Sequence, residues 1–127
     1  MLTREQAIEK MKKPINKRVS FTYPGSEGTK KGVLKDRAVV WSGDYPEGVQ
    51  YYDVADLIEF NGEHELWMRL GYYRQVGDDL RWASQTTITE PLEVWKRFLV
   101  AAAHEKDWFR TLLVDVAKEL EPKGDAA

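Results

Sequence analysis

His64 and His104 are the only imidazoles in a chain of 127 residues, and the chain has no cysteine. Thiolate zinc sites, iron–sulfur clusters, disulfides and cysteine nucleophiles are therefore excluded. Neither a His-x-x-x-His nor a Glu-x-x-His spacing occurs, so the imidazoles do not read as metal ligands. His64, flanked by Glu63 and Glu65, reads as a solvated turn residue, and His104 as a structural residue on a helix. Acidic residues cluster at Asp44, Glu47, Asp53, Asp56 and Glu59. Within that cluster Asp53 and Asp56 are the pair that could hold a divalent cation or act as acid and base. No third ligand is spaced as in a calcium loop, and a solvated rim, or ion pairs to Arg69 and to the basic N-terminal segment, explains these carboxylates better. Gly25, Gly28 and Gly32 lie near Lys30 and Lys31, but no Lys-Ser/Thr pair opens a helix there as a phosphate loop requires. No serine sits in a Gly-x-Ser-x-Gly elbow. A small enzyme with a carboxylate-based site is thus the minor reading, and no cofactor is implied.

Charge is distributed unevenly. Residues 1–37 carry ten Lys/Arg and four Asp/Glu, residues 38–88 three and nine, and residues 89–127 six and eight, giving +6, −6 and −2. A basic third beside an acidic middle either forms a polyanion site or neutralises itself within the fold or across a dimer. The polyanion reading names Lys12, Lys13, Lys17, Arg18, Lys30 and Lys31 as phosphate partners. It adds Tyr73, Arg74 and Arg81 as an aromatic and arginine surface for single-stranded nucleic acid.

These residues need elements to hold them. Thr3 and Gln6 form a capping-box pattern before Ala7, Ile8 and Met11, and Pro14 ends the run, so a short helix is expected over 3–13. From 18 to 89 the pattern is that of a β meander. Val19, Phe21 and Tyr23 alternate with Ser20 and Thr22. Val33-Leu34 and Ala38-Val39-Val40-Trp41 read either as a tight hairpin or as one long bent strand, and Asn61-Gly62 is a hairpin signal. Five or six strands with short connections result. Thr89 can cap a C-terminal helical segment over 90–121, with Pro91 in its first turn. Trp95, Phe98, Leu99, Ala102, Phe109, Leu112, Leu113, Val116 and Leu120 keep a helical period that Glu105 and Lys106 interrupt, so the segment bends near 104–107 or projects into a partner. Residues 122–127 read as a tail.

A five-residue loop over 75–79 pairs Arg74 with Leu80 and Tyr72 with Trp82. It makes Leu66, Met68, Leu70 and Tyr72 a core face, with Met68, Leu70 and Val116 as core residues. Pairing through Asn61-Gly62 puts Asp56, Ile58 and Phe60 on one face with Trp67 and Arg69, so both faces are apolar in part and both call for cover. The C-terminal helices are the cover the sequence offers.

The expected fold is α+β: a small antiparallel sheet or partly open barrel of five or six strands in one domain, preceded by a short helix and followed by C-terminal helices. It resembles Sm-like or OB-like barrels in size. Leu92, Val100, Trp108 and Val114 place apolar surface away from the helical stripe, which points to a homodimer through the C-terminal helices. A non-enzymatic interaction module that homo-oligomerises is the leading functional reading, and nucleic-acid binding is the alternative. No apolar run is long enough to span a membrane, and no basic-then-apolar leader opens the sequence. A cytoplasmic protein without membrane contact is therefore expected.

Overall fold

The computed structural model of the chain describes residues 2–21, 30–45, 48–60, 66–83 and 88–122. The Asn61-Gly62 turn, His64 and the 123–127 part of the tail lie outside them. The architecture is α+β: a five-stranded antiparallel sheet curled into a half-barrel, one N-terminal helix and two C-terminal helices. The chain divides into two compact units, residues 1–89 and 90–127.

The first unit begins with α1 (Arg4–Lys12). Thr3 accepts from the backbone of Gln6 while the Gln6 side chain accepts from the backbone of Thr3, so the capping box closes as the sequence predicts. Beyond Lys12 the chain turns through Pro14 and through Asn16, which adopts a left-handed φ of 71°. The strands β1 (Arg18–Phe21), β2 (Lys30–Tyr45), β3 (Val49–Phe60), β4 (Leu66–Val76) and β5 (Asp79–Ala83) pair in chain order.

The two apolar runs on either side of Lys35-Asp36-Arg37 belong to the one strand β2. Its ladder to β3 slips between Leu34 and Asp36 and again between Trp41 and Gly43. Each bulge adds one residue, bends the strand and increases its twist, and that curls the sheet.

Helix α1 lies on the inner face of the curl. Ala7 and Met11 are buried there with Val39, Tyr52 and Val54, and Ile8, Trp41, Tyr73, Leu80 and Trp82 pack around them. A second cluster, Leu34, Ile58 and Phe60, is covered by Ile15, Val19 and Trp67. The indole of Trp67 meets Phe60 edge-on at 5.2 Å.

The β4–β5 register corrects the sequence expectation by one residue. Val76 pairs with Asp79, Arg74 with Arg81 and Tyr73 with Trp82. The loop is the two residues Gly77-Asp78, and Gly77 supplies the positive φ (61°) that so tight a hairpin needs. Because side chains alternate with period two, this slip changes which residues of β5 join each face of β4. Pairing with β3 sets Trp67 beside Ile58 and Arg69 beside Asp56, so those two and Tyr73 point inward. Leu66, Met68 and Leu70 instead lie on the outer face, 56%, 44% and 38% exposed, and are not core. Val116 is likewise exposed.

The second unit comprises α2 (Leu92–Glu105) and α3 (Asp107–Leu120). Pro91, in extended conformation, is itself the N-cap of α2, so Thr89 does not cap and Pro91 precedes the first turn. Lys106 is extended (φ −131°, ψ 122°) and separates the helices where charged residues interrupt the apolar stripe. Phe98, Ala102 and Phe109 form the seam, with the Phe98 and Phe109 rings 6.1 Å apart. Among the described residues no helix is long and apolar enough to cross a membrane.

Truncating the fully buried Ile58 or Phe60 to Ala is expected to destabilise the protein by about 2–5 kcal/mol. Met68→Ala is expected to cost no more than about 0.5 kcal/mol, as at other exposed positions. Denaturant midpoints of the three variants check this, and a Met68→Ala loss equal to the others would refute the register.

Candidate functional site

The residues that gather chemistry in this fold form a row across three strands. Arg37 on β2 stands opposite Asp56 on β3, and Asp56 stands opposite Arg69 on β4. The bulge at Lys35 places Arg37 in this row. Leu34 points inward, and an unbroken strand would then point Arg37 outward. The extra residue reverses the alternation and turns the guanidinium into the core.

Asp56 is fully buried and Arg37 is 2% exposed. Arg37 donates from Nε to Asp56 Oδ1 at 2.7 Å and from Nη2 to Oδ2 at 3.1 Å, a bidentate fork. Arg69 donates from Nε and Nη2 to Oδ2 at 3.1 and 2.9 Å. The remaining nitrogen of Arg37, Nη1, donates to Met11 O at 2.8 Å and to the Tyr73 hydroxyl at 2.7 Å. Met11 O is one of the last carbonyls of α1, where a helix leaves acceptors unfilled and welcomes a cation. Trp82 lies against the cluster, with the Arg37 and Arg69 guanidiniums 5.1 and 5.0 Å from its ring. It sits so close over Gly71 that a Cβ there would come within 2.4 Å of the indole.

Burial by itself lowers the pKa of Arg37. The hydrogen bond and charge of Asp56, helped by Tyr73, outweigh burial and hold it above the usual arginine value. Arg37 is a permanent cation. With Arg69 it sets two positive charges against the single negative charge of Asp56.

Asp53 and Asp56 are both buried, but they are three residues apart on an extended strand and therefore point to opposite faces. They do not form a carboxylate pair. Among the described residues no three His, Asp or Glu side chains come together as a metal site. His104 is exposed in the last turn of α2.

Of the six cations named as phosphate partners, two end α1 and the others lie at or beside the β1–β2 pair. Lys12 ends α1 and Lys13 caps it. Lys17 donates its backbone N–H to Pro14 O and accepts at its carbonyl from Leu34 N, Arg18 opens β1, and Lys30 and Lys31 open β2 opposite Phe21 and Ser20. Lys13, Lys17, Arg18 and Lys31 are exposed, and Lys12 is half-buried. Tyr73, Arg74 and Arg81 lie on β4 and β5, at the other end of the strand order. Arg74 and Arg81 are exposed neighbours, and Arg81 is within 3.8 Å of Asp79. The ring of Tyr73 packs on Trp82 at 4.9 Å, and its hydroxyl serves Arg37. On the helices Leu92, Val100 and Val114 are exposed, while Trp108 is half-buried against Phe109.

The sequence places Asp56 and Arg69 on one face and offers an ion pair to Arg69 beside a solvated rim, and the structure shows the ion pair; Arg37 was missed. The available signal was a lone arginine between two apolar runs of one strand.

No protein-family model matches the chain, and no curated protein or solved structure shows a match to it.

Replacing Asp56 by Asn should destabilise the fold by about 3–5 kcal/mol, because it strands two cations around a neutral amide. Replacing Arg37 by Met removes one of the two cations and leaves Asp56 paired with Arg69, so it should cost less. Unfolding by guanidinium chloride followed by circular dichroism measures both, and the reverse order would contradict this account.

Proposed function

We propose that this protein is a non-enzymatic interaction module that self-associates through its C-terminal helices. The observation that carries the reading is the exposed apolar surface of α2 and α3. Leu92, Val100, Leu112, Val114, Val116 and Leu120 are all more than a third exposed, Leu92 by 86% and Leu120 by 77%. Scattered single residues of this kind are ordinary on a soluble surface. Six on two 14-residue helices are not scattered. A two-helix hairpin buries one seam, and apolar side chains off that seam gain from a second pair of helices, as in four-helix bundles.

Light scattering on the full chain should give twice the 14.7 kDa protomer mass at micromolar concentrations and above. The double substitution Val100→Lys and Val114→Lys should return a folded monomer. A wild-type monomer throughout that range would overturn the proposal.

A second reading is favoured by one placement: the six cations from Lys12 to Lys31 share the β1–β2 edge and the C-terminal end of α1. In that reading the edge binds the backbone of a single-stranded nucleic acid through charge alone, since Tyr73 is engaged inside the fold. Affinity would then fall with log salt at a slope of about 0.7 per phosphate contact, whereas apolar self-association would not weaken. Anisotropy of a labelled oligonucleotide across a salt series separates the two readings. A salt-independent signal, or none, removes the second.

A further inference from the structure

A cavity of about 290 Å³ opens in the sheet unit between the start of α1 and the two hairpin ends, lined by Arg4, Gly48, Gln50, Tyr52, Gln75 and Gly77 together with Leu2. That volume sits at the lower end of small-ligand pockets, about 300 Å³. Its walls are preset. Gln75, 4% exposed, donates from Nε2 to the carbonyls of Leu2 and Gly77 at 3.0 and 2.9 Å, and its Oε1 accepts from the Tyr52 hydroxyl at 2.8 Å. Gly48 and Gly77 adopt positive φ angles of 76° and 61°, a backbone conformation that suits glycine.

The chemistry of the lining is one-sided. The Arg4 guanidinium lies over the ring of Trp41, 3.6 Å from its centroid, and makes no hydrogen bond or ion pair among the described residues. Stacking uses the face of a guanidinium and leaves its N–H edge, the part that matches a carboxylate in bidentate fashion. Arg4 is also the first residue of α1, so the positive pole of the helix lies at the same place. Trp41 Nε1 donates to Gln50 Oε1 at 2.6 Å. An indole N–H can only donate, so Gln50 is fixed with its oxygen toward Trp41 and its NH2 end turned away. Leu2 supplies apolar surface beside Arg4, while Tyr52, 1% exposed, closes the floor through its bond to Gln75.

We propose that this cavity binds a small organic carboxylate, with its anionic group on the edge of Arg4 and its apolar body against Leu2. A neutral isostere lacks the group that Arg4 recognises, and inorganic phosphate lacks the body.

The test is a titration of the 15N-labelled full chain with benzoate, benzamide and inorganic phosphate at constant ionic strength. It follows the indole N–H resonance of Trp41, identified by its loss in Trp41→Phe. Benzoate should shift that resonance saturably, with a Kd of about 1 mM or tighter, and benzamide and phosphate should bind at least about tenfold more weakly. Arg4→Gln should weaken benzoate by at least about tenfold while leaving the rest of the spectrum in place. No saturation by about 20 mM benzoate overturns the proposal, as does equal binding of benzamide or tighter binding of phosphate. An Arg4→Gln protein that binds benzoate like the wild type overturns it as well. If Arg4→Gln fails to fold, the benzoate-to-benzamide ratio on the wild type decides alone.

Discussion

The buried ion pair between Arg37 and Asp56 is the constraint on which the sheet unit depends. Two charges removed from water cost several kcal/mol each unless every donor and acceptor is met. Here the carboxylate receives four N–H groups, and Arg37 engages Nε and both Nη atoms. Meeting those demands fixes β2 against β3, β3 against β4, and the end of α1 against the sheet. A register slip between any of these strands would leave a charge unpaired in the interior, a larger penalty than an apolar mismatch at the same place. An ion pair of this kind adds little net stability over an apolar equivalent, but it discriminates strongly between alternative pairings of the same strands.

The same cluster bears on the uneven charge of the chain. Arg37 belongs to the basic N-terminal third, and Asp56 and Arg69 belong to the acidic middle. One of the attractions between those segments is therefore an interior contact. Lys13, Lys17, Arg18 and Lys31, from the same basic third, are exposed.

How much of the fold the sequence discloses depends on which patterns a single residue can disturb. The capping box of α1 rests on local contacts three residues apart, and it reads directly. The face shared by Asp56, Ile58, Trp67 and Arg69 also reads directly, because hairpin loops of two and four residues give the same alternation. Two features were hidden for one reason, an odd residue. At Lys35 an extra residue turns Arg37 inward, and at Gly77-Asp78 a loop of even rather than odd length moves Trp82 from Tyr72 to Tyr73. Apolar content gave no warning of the second error, since Leu66, Met68 and Leu70 look like core and stand outside it. The cavity beside Arg4 was beyond reach for another reason. Its lining comes from three separate stretches of chain, joined by the hydrogen bonds of Gln75, a residue that the sequence places in a loop.

One of those hydrogen bonds, from Gln75 to the carbonyl of Leu2, ties together residues 73 positions apart, and Arg37 holds the carbonyl of Met11, 26 positions away. The meander itself grows by neighbour-to-neighbour pairing, strand after strand, with short loops to close. Helix α1 is the exception to that order. It precedes all five strands in the chain and is too short to persist alone in water. Its C-terminal anchor exists once β2 has formed, and its N-terminal anchor only after β4 has been made. Helix α1 is thus made before the sheet and fastened after most of it, and until β4 is in place the inner face of the growing sheet waits without its full cover.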